Sequence, residues 1–123
     1  MGDPVMHFEI VGADGERLGR FYSDLFGWTV TPVEATGEGY RLVDTGGDGI
    51  AGGIGSFPNV AAYLTFYVQV DDLEASIRRA ENQGGEVVMA PREVRPGLRA
   101  AMINDPEGNM VGMISPMEGS TTG

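Results

Sequence analysis

The chain repeats itself. At an offset of 58 residues, Phe8 falls on Phe66, Ile10 on Val68, Asp14 on Asp72, Arg20 on Arg78, Gly27 on Gly85 and Val30 on Val88. Identity between the two copies is low, so what recurs is an order of elements. In the first copy, His7-Phe8-Glu9-Ile10-Val11 alternates polar and apolar residues, as a half-buried strand does. Asp14 can then cap a helix by accepting from free N–H groups of its first turn. Leu18, Phe21, Tyr22, Leu25 and Phe26 follow at the i, i+3, i+4, i+7, i+8 spacing of one apolar helical face. Gly27 stands where a helix closes on a left-handed residue. Trp28-Thr29-Val30 has the aromatic and β-branched character of a new strand.

The second copy follows the same order. Tyr63 to Val70 is strongly β-prone, and Asp71 and Asp72 offer caps. Leu73, Ile77 and Ala80 give a weaker stripe, Gly84-Gly85 stops it, and Glu86 to Met89 is a strand. Each copy has further strands. Pro32 ends or bends the first copy's second strand, because proline donates no ladder hydrogen bond. Gly37-Glu38-Gly39 reads as a turn, Tyr40 to Thr45 as a strand and Ile50 to Gly55 as a glycine-rich strand. Ser56 to Ala61 is the linker. In the second copy Pro91 to Gly97 reads as a loop. Leu98 to Asn104 and Asn109 to Ile114 form a hairpin around Asp105-Pro106-Glu107-Gly108, which has proline and glycine where turns want them. The reading is an α+β chain of two tandem βαβββ modules, about 6–57 and 63–116, in a single domain spanning 1–123, with a tail at 117–123. One helix per module covers one sheet face, so the other face must bury against something or form a concave pocket.

Composition narrows the function. A net charge of −10 on 123 residues provides none of the concentrated basic surface that phosphate backbones or anionic membranes require. The expectation is no nucleic-acid and no membrane partner. The chain has no cysteine, which excludes disulfides, thiolate metal sites and cysteine nucleophiles. No apolar run reaches the length of a membrane-spanning helix, and Met1 to Phe8 lacks a signal-peptide pattern. A cytoplasmic location is the expectation.

Four groups of residues carry a resemblance: His7-Phe8-Glu9-Ile10, the helix end Arg20-Phe21-Tyr22 to Leu25-Phe26-Gly27-Trp28, the junction Val70-Asp71-Asp72-Leu73, and the turn Asp105 to Asn109. With them the chain resembles the vicinal oxygen chelate superfamily of glyoxalase I, bleomycin-resistance proteins and extradiol dioxygenases. The resemblance covers nearly the whole chain. It implies a cupped mixed sheet around a ligand pocket, and a homodimer. It leaves the chemistry open, because the superfamily holds lyases, isomerases, epimerases, dioxygenases and metal-free binding proteins.

Metal-dependent relatives place ligands on the inward faces of the first and last strands of each module. His7 matches the first such position. The internal offset puts Thr65 at its counterpart in the second module, and Gly112 falls where a glutamate is usual. Ile50 to Gly55 contains no carboxylate, amide or imidazole. One ligand position in four is filled, whereas a catalytic metal needs about three protein ligands. The expectation is therefore a protein with no cofactor that binds an apolar or aromatic metabolite or antibiotic. The alternative is a lyase, isomerase or dioxygenase, using either a weak divalent metal at His7 or acid–base chemistry by His7 and Glu9, which share a face. Thr65, Tyr67 and Gln69 are candidate ligand-contacting groups on the second module's first strand. Trp28, Met102 and Met110 are candidates for an apolar wall, and Gly112 for the space beside it.

Overall fold

The computed structural model describes residues 2–33 and 39–116. The turn read at Gly37-Glu38 and the tail at 117–123 lie outside these residues. The described chain has eight strands and two helices in an α+β arrangement: β1 (Val5–Gly12), α1 (Gly15–Phe26), β2 (Thr29–Pro32), β3 (Tyr40–Asp44), β4 (Gly52–Ser56), β5 (Tyr63–Gln69), α2 (Leu73–Asn82), β6 (Glu86–Arg95), β7 (Leu98–Asn104) and β8 (Met110–Pro116). Contacts group them into two compact units, residues 6–65 and residues 66–116 with the N-terminal residues 2–5.

In the first unit the strand order is β2-β3-β4-β1. β1 runs parallel to β4, with Phe8 opposite Gly52 and Glu9 opposite Gly53, while β3 is antiparallel to both β2 and β4. Asp14 caps α1 by accepting from the Arg17 amide at 3.0 Å. Gly27 closes the helix at φ 75°, a left-handed conformation that a side chain would strain. Ile10, Val43 and Ile54 form the core, with Phe8, Leu18, Tyr22, Trp28 and Val30 packed on it.

The apolar stripe of α1 is only partly used. The helix meets the sheet through Leu18 and Tyr22 and through Gly15 and Gly19, its two buried residues. A Cβ on Gly19 would stand 3.2 Å from Val30 Cγ1, so the absent side chain is what allows the close approach. Phe21, Leu25 and Phe26 are each more than half exposed.

In the second unit the order is β5-β8-β7-β6. β5 pairs parallel with β8, with Tyr67 opposite Gly112. Asp72 caps α2 by accepting from the Ala75 amide at 3.0 Å. This helix buries Leu73 and Ile77 against Val70, Ala101 and Met113. The hairpin turn is tied by Asp105, whose Oδ1 accepts from the amides of Glu107 and Asn109 and whose Oδ2 accepts from Asn109 Nδ2, each at 2.9 Å. These bonds, the Asn109 side chain's first, hold the Asp105 carboxyl below its ordinary range.

One expectation needs correction. Pro91 to Gly97 is not a loop, since β6 continues to Arg95. Among the described residues β6 is an edge strand paired with β7 alone, and its register shifts between Met89 and Arg92. Pro91 falls inside that shift, so its missing N–H interrupts no required ladder bond. The glycine-rich strand also begins two residues later than read, at Gly52.

Candidate functional site

Strand alternation gives β1 two chemistries. Phe8 and Ile10 point toward α1 and join the core. His7, Glu9 and Val11 lie on the opposite face. In the parallel register Glu9 stands beside Gly53 and Val11 beside Gly55. The empty space above Gly53 is taken by Tyr40, whose hydroxyl occupies the place a Cβ there would need. From that position the Tyr40 hydroxyl lies 2.9 Å from His7 Nε2. A phenol can donate to a bare Nε2 or accept from a protonated one, so it suits either imidazole tautomer.

Glu9 is 8% exposed, a buried carboxylate. The Tyr63 hydroxyl hydrogen-bonds to it. Burial pushes the Tyr63 phenol above its ordinary value, and the negative charge of Glu9 and the hydrogen bond to it push the same way. Thr65, two residues further on the same strand, is 7% exposed. This face of the first unit therefore collects an imidazole, a carboxylate, two phenols and a hydroxyl.

A cleft of about 460 Å³ opens in the same unit, lined by Phe8, Glu9, Ile10, Trp28, Thr45, Ile50, Leu64 and Thr65. Its volume is in the range of small-molecule sites. Trp28 forms an aromatic wall, stacked on Tyr22 at 5.5 Å and set 5.4 Å from the Phe8 ring. Leu64 is 69% exposed at its rim.

In the second unit the same strand position is closed by an aromatic ring. A Cβ on Gly112 would run into the near side of the Tyr67 ring, including its Cγ. Met102 pairs with Gly112 across β7 and β8 and is buried, while Met110 opposite Asn104 is half-buried. Gln69, opposite Ile114, has its backbone amide bonded to Pro4 O at 2.9 Å.

The donor set does not fit a catalytic divalent metal. His7 Nε2 is held by Tyr40, Thr65 offers only a hydroxyl, and rings fill the space over Gly53 and Gly112 where carboxylates would have to stand. Among the described residues no three histidine, aspartate or glutamate side chains converge.

Of the residues singled out from the sequence, the first unit brings His7, Glu9 and Thr65 onto one sheet face, while Trp28 packs with the α1 core. Glu9, Trp28 and Thr65 border the cleft, and His7 does not. Tyr67, Gln69, Met102, Met110 and Gly112 belong to the second unit. Tyr40 and Tyr63 were not singled out. The signal for Tyr40 was Gly53 itself, since a glycine inside a strand marks a close approach by a neighbour.

Comparison with known proteins agrees with this architecture. The family profile of the glyoxalase-like domain matches residues 8–113. The anthracycline biosynthesis protein DnrV of Streptomyces peucetius is 32% identical over 117 residues, covering 82% of this chain and 42% of its own. The chain thus spans about two fifths of that relative's length. A glyoxylase-like domain-containing protein of Didymella fabae is 31% identical over 110 residues, covering 82% of this chain and 84% of its own. Among solved structures, methylmalonyl-CoA epimerase from Mycobacterium tuberculosis superposes with a TM-score of 0.66 at 20% identity, covering 92% of this chain and 87% of the epimerase. That likeness extends to the fold alone. Among the described residues no helix is long and apolar enough to cross a membrane.

Proposed function

Because this chain belongs to the glyoxalase-like domain family, we propose that it binds a small, largely apolar or aromatic metabolite or antibiotic, and does so without a metal. One observation carries this reading. The side chains at and around the expected ligand positions form tyrosine-capped pairs, His7 with Tyr40 and Glu9 with Tyr63, instead of a converging donor set. A phenol gives each polar group a hydrogen-bond partner. The cleft of about 460 Å³ with its Trp28 wall offers apolar area of the right size. The similarity to an anthracycline biosynthesis protein points toward a polycyclic aromatic class of ligand. The reading includes a cytoplasmic location and a homodimer, and light scattering on purified protein checks the dimer.

The test is thermal stabilisation by a panel of planar aromatic compounds, with and without a chelator. The reading requires stabilisation that the chelator leaves unchanged. Stabilisation that appears only with added divalent metal would contradict it.

A second reading has its own support. Glu9 is a buried carboxylate and His7 an imidazole on the same face, a pair able to remove and return a proton beside a carbonyl. One of its fold neighbours is a methylmalonyl-CoA epimerase. Incorporation of solvent deuterium at the α-carbon of a thioester substrate, abolished by Glu9→Gln, would favour this reading over simple binding.

A further inference from the structure

The outward face of α1 is apolar at its centre and charged along one flank. Phe21 and Leu25 are 56% and 57% exposed, while Leu18 and Tyr22 pack on the core. At about 100° per residue, Leu25 stands about 40° to one side of Phe21. Arg17 and Asp24 stand about 40° and about 60° to the other side. Arg17 precedes Phe21 and Asp24 follows it, so the two charges share a flank at opposite ends of the stripe.

Neither charge serves its own helix. Arg17 is in the first turn, at the positive end of the helix dipole, and Asp24 is in the last turn, at the negative end. Each therefore has the sign that the dipole disfavours. They are two turns apart, about 10 Å along the axis, too far to pair with each other. Among the described residues neither forms an ion pair within the chain, and Arg20, which lies between them, pairs with Glu16 at 3.6 Å.

The pattern is complementary to itself. In an antiparallel helix pair about a two-fold axis, residues before the axis in one copy face residues after it in the other, on the same flank. With the axis at Phe21, the two Phe21 rings meet. Arg17 of one copy comes beside Asp24 of the other, and the contact occurs twice. A parallel pairing would instead bring like charges to the same height.

We propose that this face of α1 docks on the same face of a second copy of the chain, with Phe21 at the two-fold axis and the Arg17–Asp24 pairs closing one flank. The proposal rests on the homodimer of the reading above and supplies its contact. Four residues from each copy are few beside the roughly 20–30 of a standard interface. The dimer is accordingly weak and concentration-dependent, and in dilute solution the chain unfolds as a monomer.

Sedimentation equilibrium of the intact chain, from low micromolar to near-millimolar concentration, reads the association directly. The wild-type chain is expected to form a reversible dimer. Arg17→Asp sets carboxylates against each other and Asp24→Arg sets guanidinium groups against each other. Each should weaken association by at least ~10-fold, although one makes the chain more acidic and the other less. Both substitutions give the helix dipole the sign it favours, so the helix itself is not weakened. The double variant keeps the net charge of −10 and should regain wild-type association. An equimolar mixture of the two single variants should regain it too, because the mixed pair has opposite charges at both contacts. A wild-type dimer that the single reversals leave unchanged overturns the proposal and leaves the homodimer standing. So does a mixture that associates no better than its components. A wild-type chain that stays monomeric throughout removes the homodimer and the proposal together, and leaves the ligand-binding reading intact.

Discussion

The first and second halves of the chain run through the same order of strands and helix, yet they solve the same two packing problems differently. The first problem is seating the helix. α2 buries Leu73 and Ile77, whereas α1 buries only Gly15 and Gly19 and leaves Phe21, Leu25 and Phe26 outward. The second is the glycine on the strand parallel to the unit's first strand. Gly112 is covered by Tyr67, its own register partner, whose ring is held close to the backbone. Gly53 is covered by the far end of Tyr40, which reaches over from β3 and leaves the register position itself to Glu9. The second half has closed this position with an aromatic ring. The first has kept titratable groups there and capped each with a phenol. Equivalent places in a fold can thus carry an aromatic ring packed on the backbone in one half and a polar site in the other.

The helix comparison predicts the largest effects. Leu73 is 1% exposed, so Leu73→Ala should cost about 2–5 kcal/mol of stability in urea denaturation, the ordinary loss for a buried leucine. Phe21→Ala on α1, at 56% exposure, should fall within about 0.5 kcal/mol of wild type, as surface substitutions do. A cost near that of Leu73→Ala would mean that the outward stripe of α1 is covered in solution.

The glycine comparison gives the next effect. Gly112→Ala places a methyl against Tyr67 Cγ and Cδ2, close to the backbone, and should cost about 1–3 kcal/mol through overpacking. Gly53→Ala meets the hydroxyl end of Tyr40, which can swing aside. It should cost about 1 kcal/mol or less, and its stability loss should vanish in a Tyr40→Ala background. The reverse order of costs would break the distinction between a sealed and an open position.

The two helix caps should instead be alike. Asp14 and Asp72 each accept from the third amide of their helices at 3.0 Å. Asp14→Ala and Asp72→Ala should each lower stability by about 1 kcal/mol.

The smallest expected effect is the most specific to the first half. The Tyr63 phenol is pushed above its ordinary value of 10.0, so the folded state holds that proton more tightly than the unfolded state. The stability it contributes is complete below pH 10 and is lost as pH rises through the folded value. Glu9→Gln removes the charge and carboxylate contributions but not burial, so the tyrosinate absorbance of Tyr63 should appear at lower pH without returning fully to the ordinary value. An unchanged titration in Glu9→Gln would show that Glu9 and Tyr63 do not interact.

Much of this was legible in the sequence, for physical reasons. Caps, helix stops and turns announce themselves, because Asp14, Asp72, Gly27 and Asp105-Pro106-Glu107-Gly108 act through local hydrogen bonds and dihedral angles. The alternation in His7 to Val11 placed His7 and Glu9 on one face, since that depends only on strand geometry. What periodicity could not give was depth. Phe21, Leu25 and Phe26 share an apolar stripe with Leu18 and Tyr22, but only Leu18 and Tyr22 pack on the core, beside the buried Gly15 and Gly19. Nor could it give partners across strands. Tyr40 meets His7 across 33 residues of chain, through a space that exists only because Gly53 has no side chain.

The central claim is that these tyrosine-capped pairs stand in place of a metal centre. Equilibrium dialysis of tag-free protein against zinc, nickel, manganese and iron(II), followed by elemental analysis, tests it most directly. The account predicts metal content well below one ion per chain, the same in wild type and in His7→Ala. One tightly held ion per chain that His7→Ala removes would contradict it.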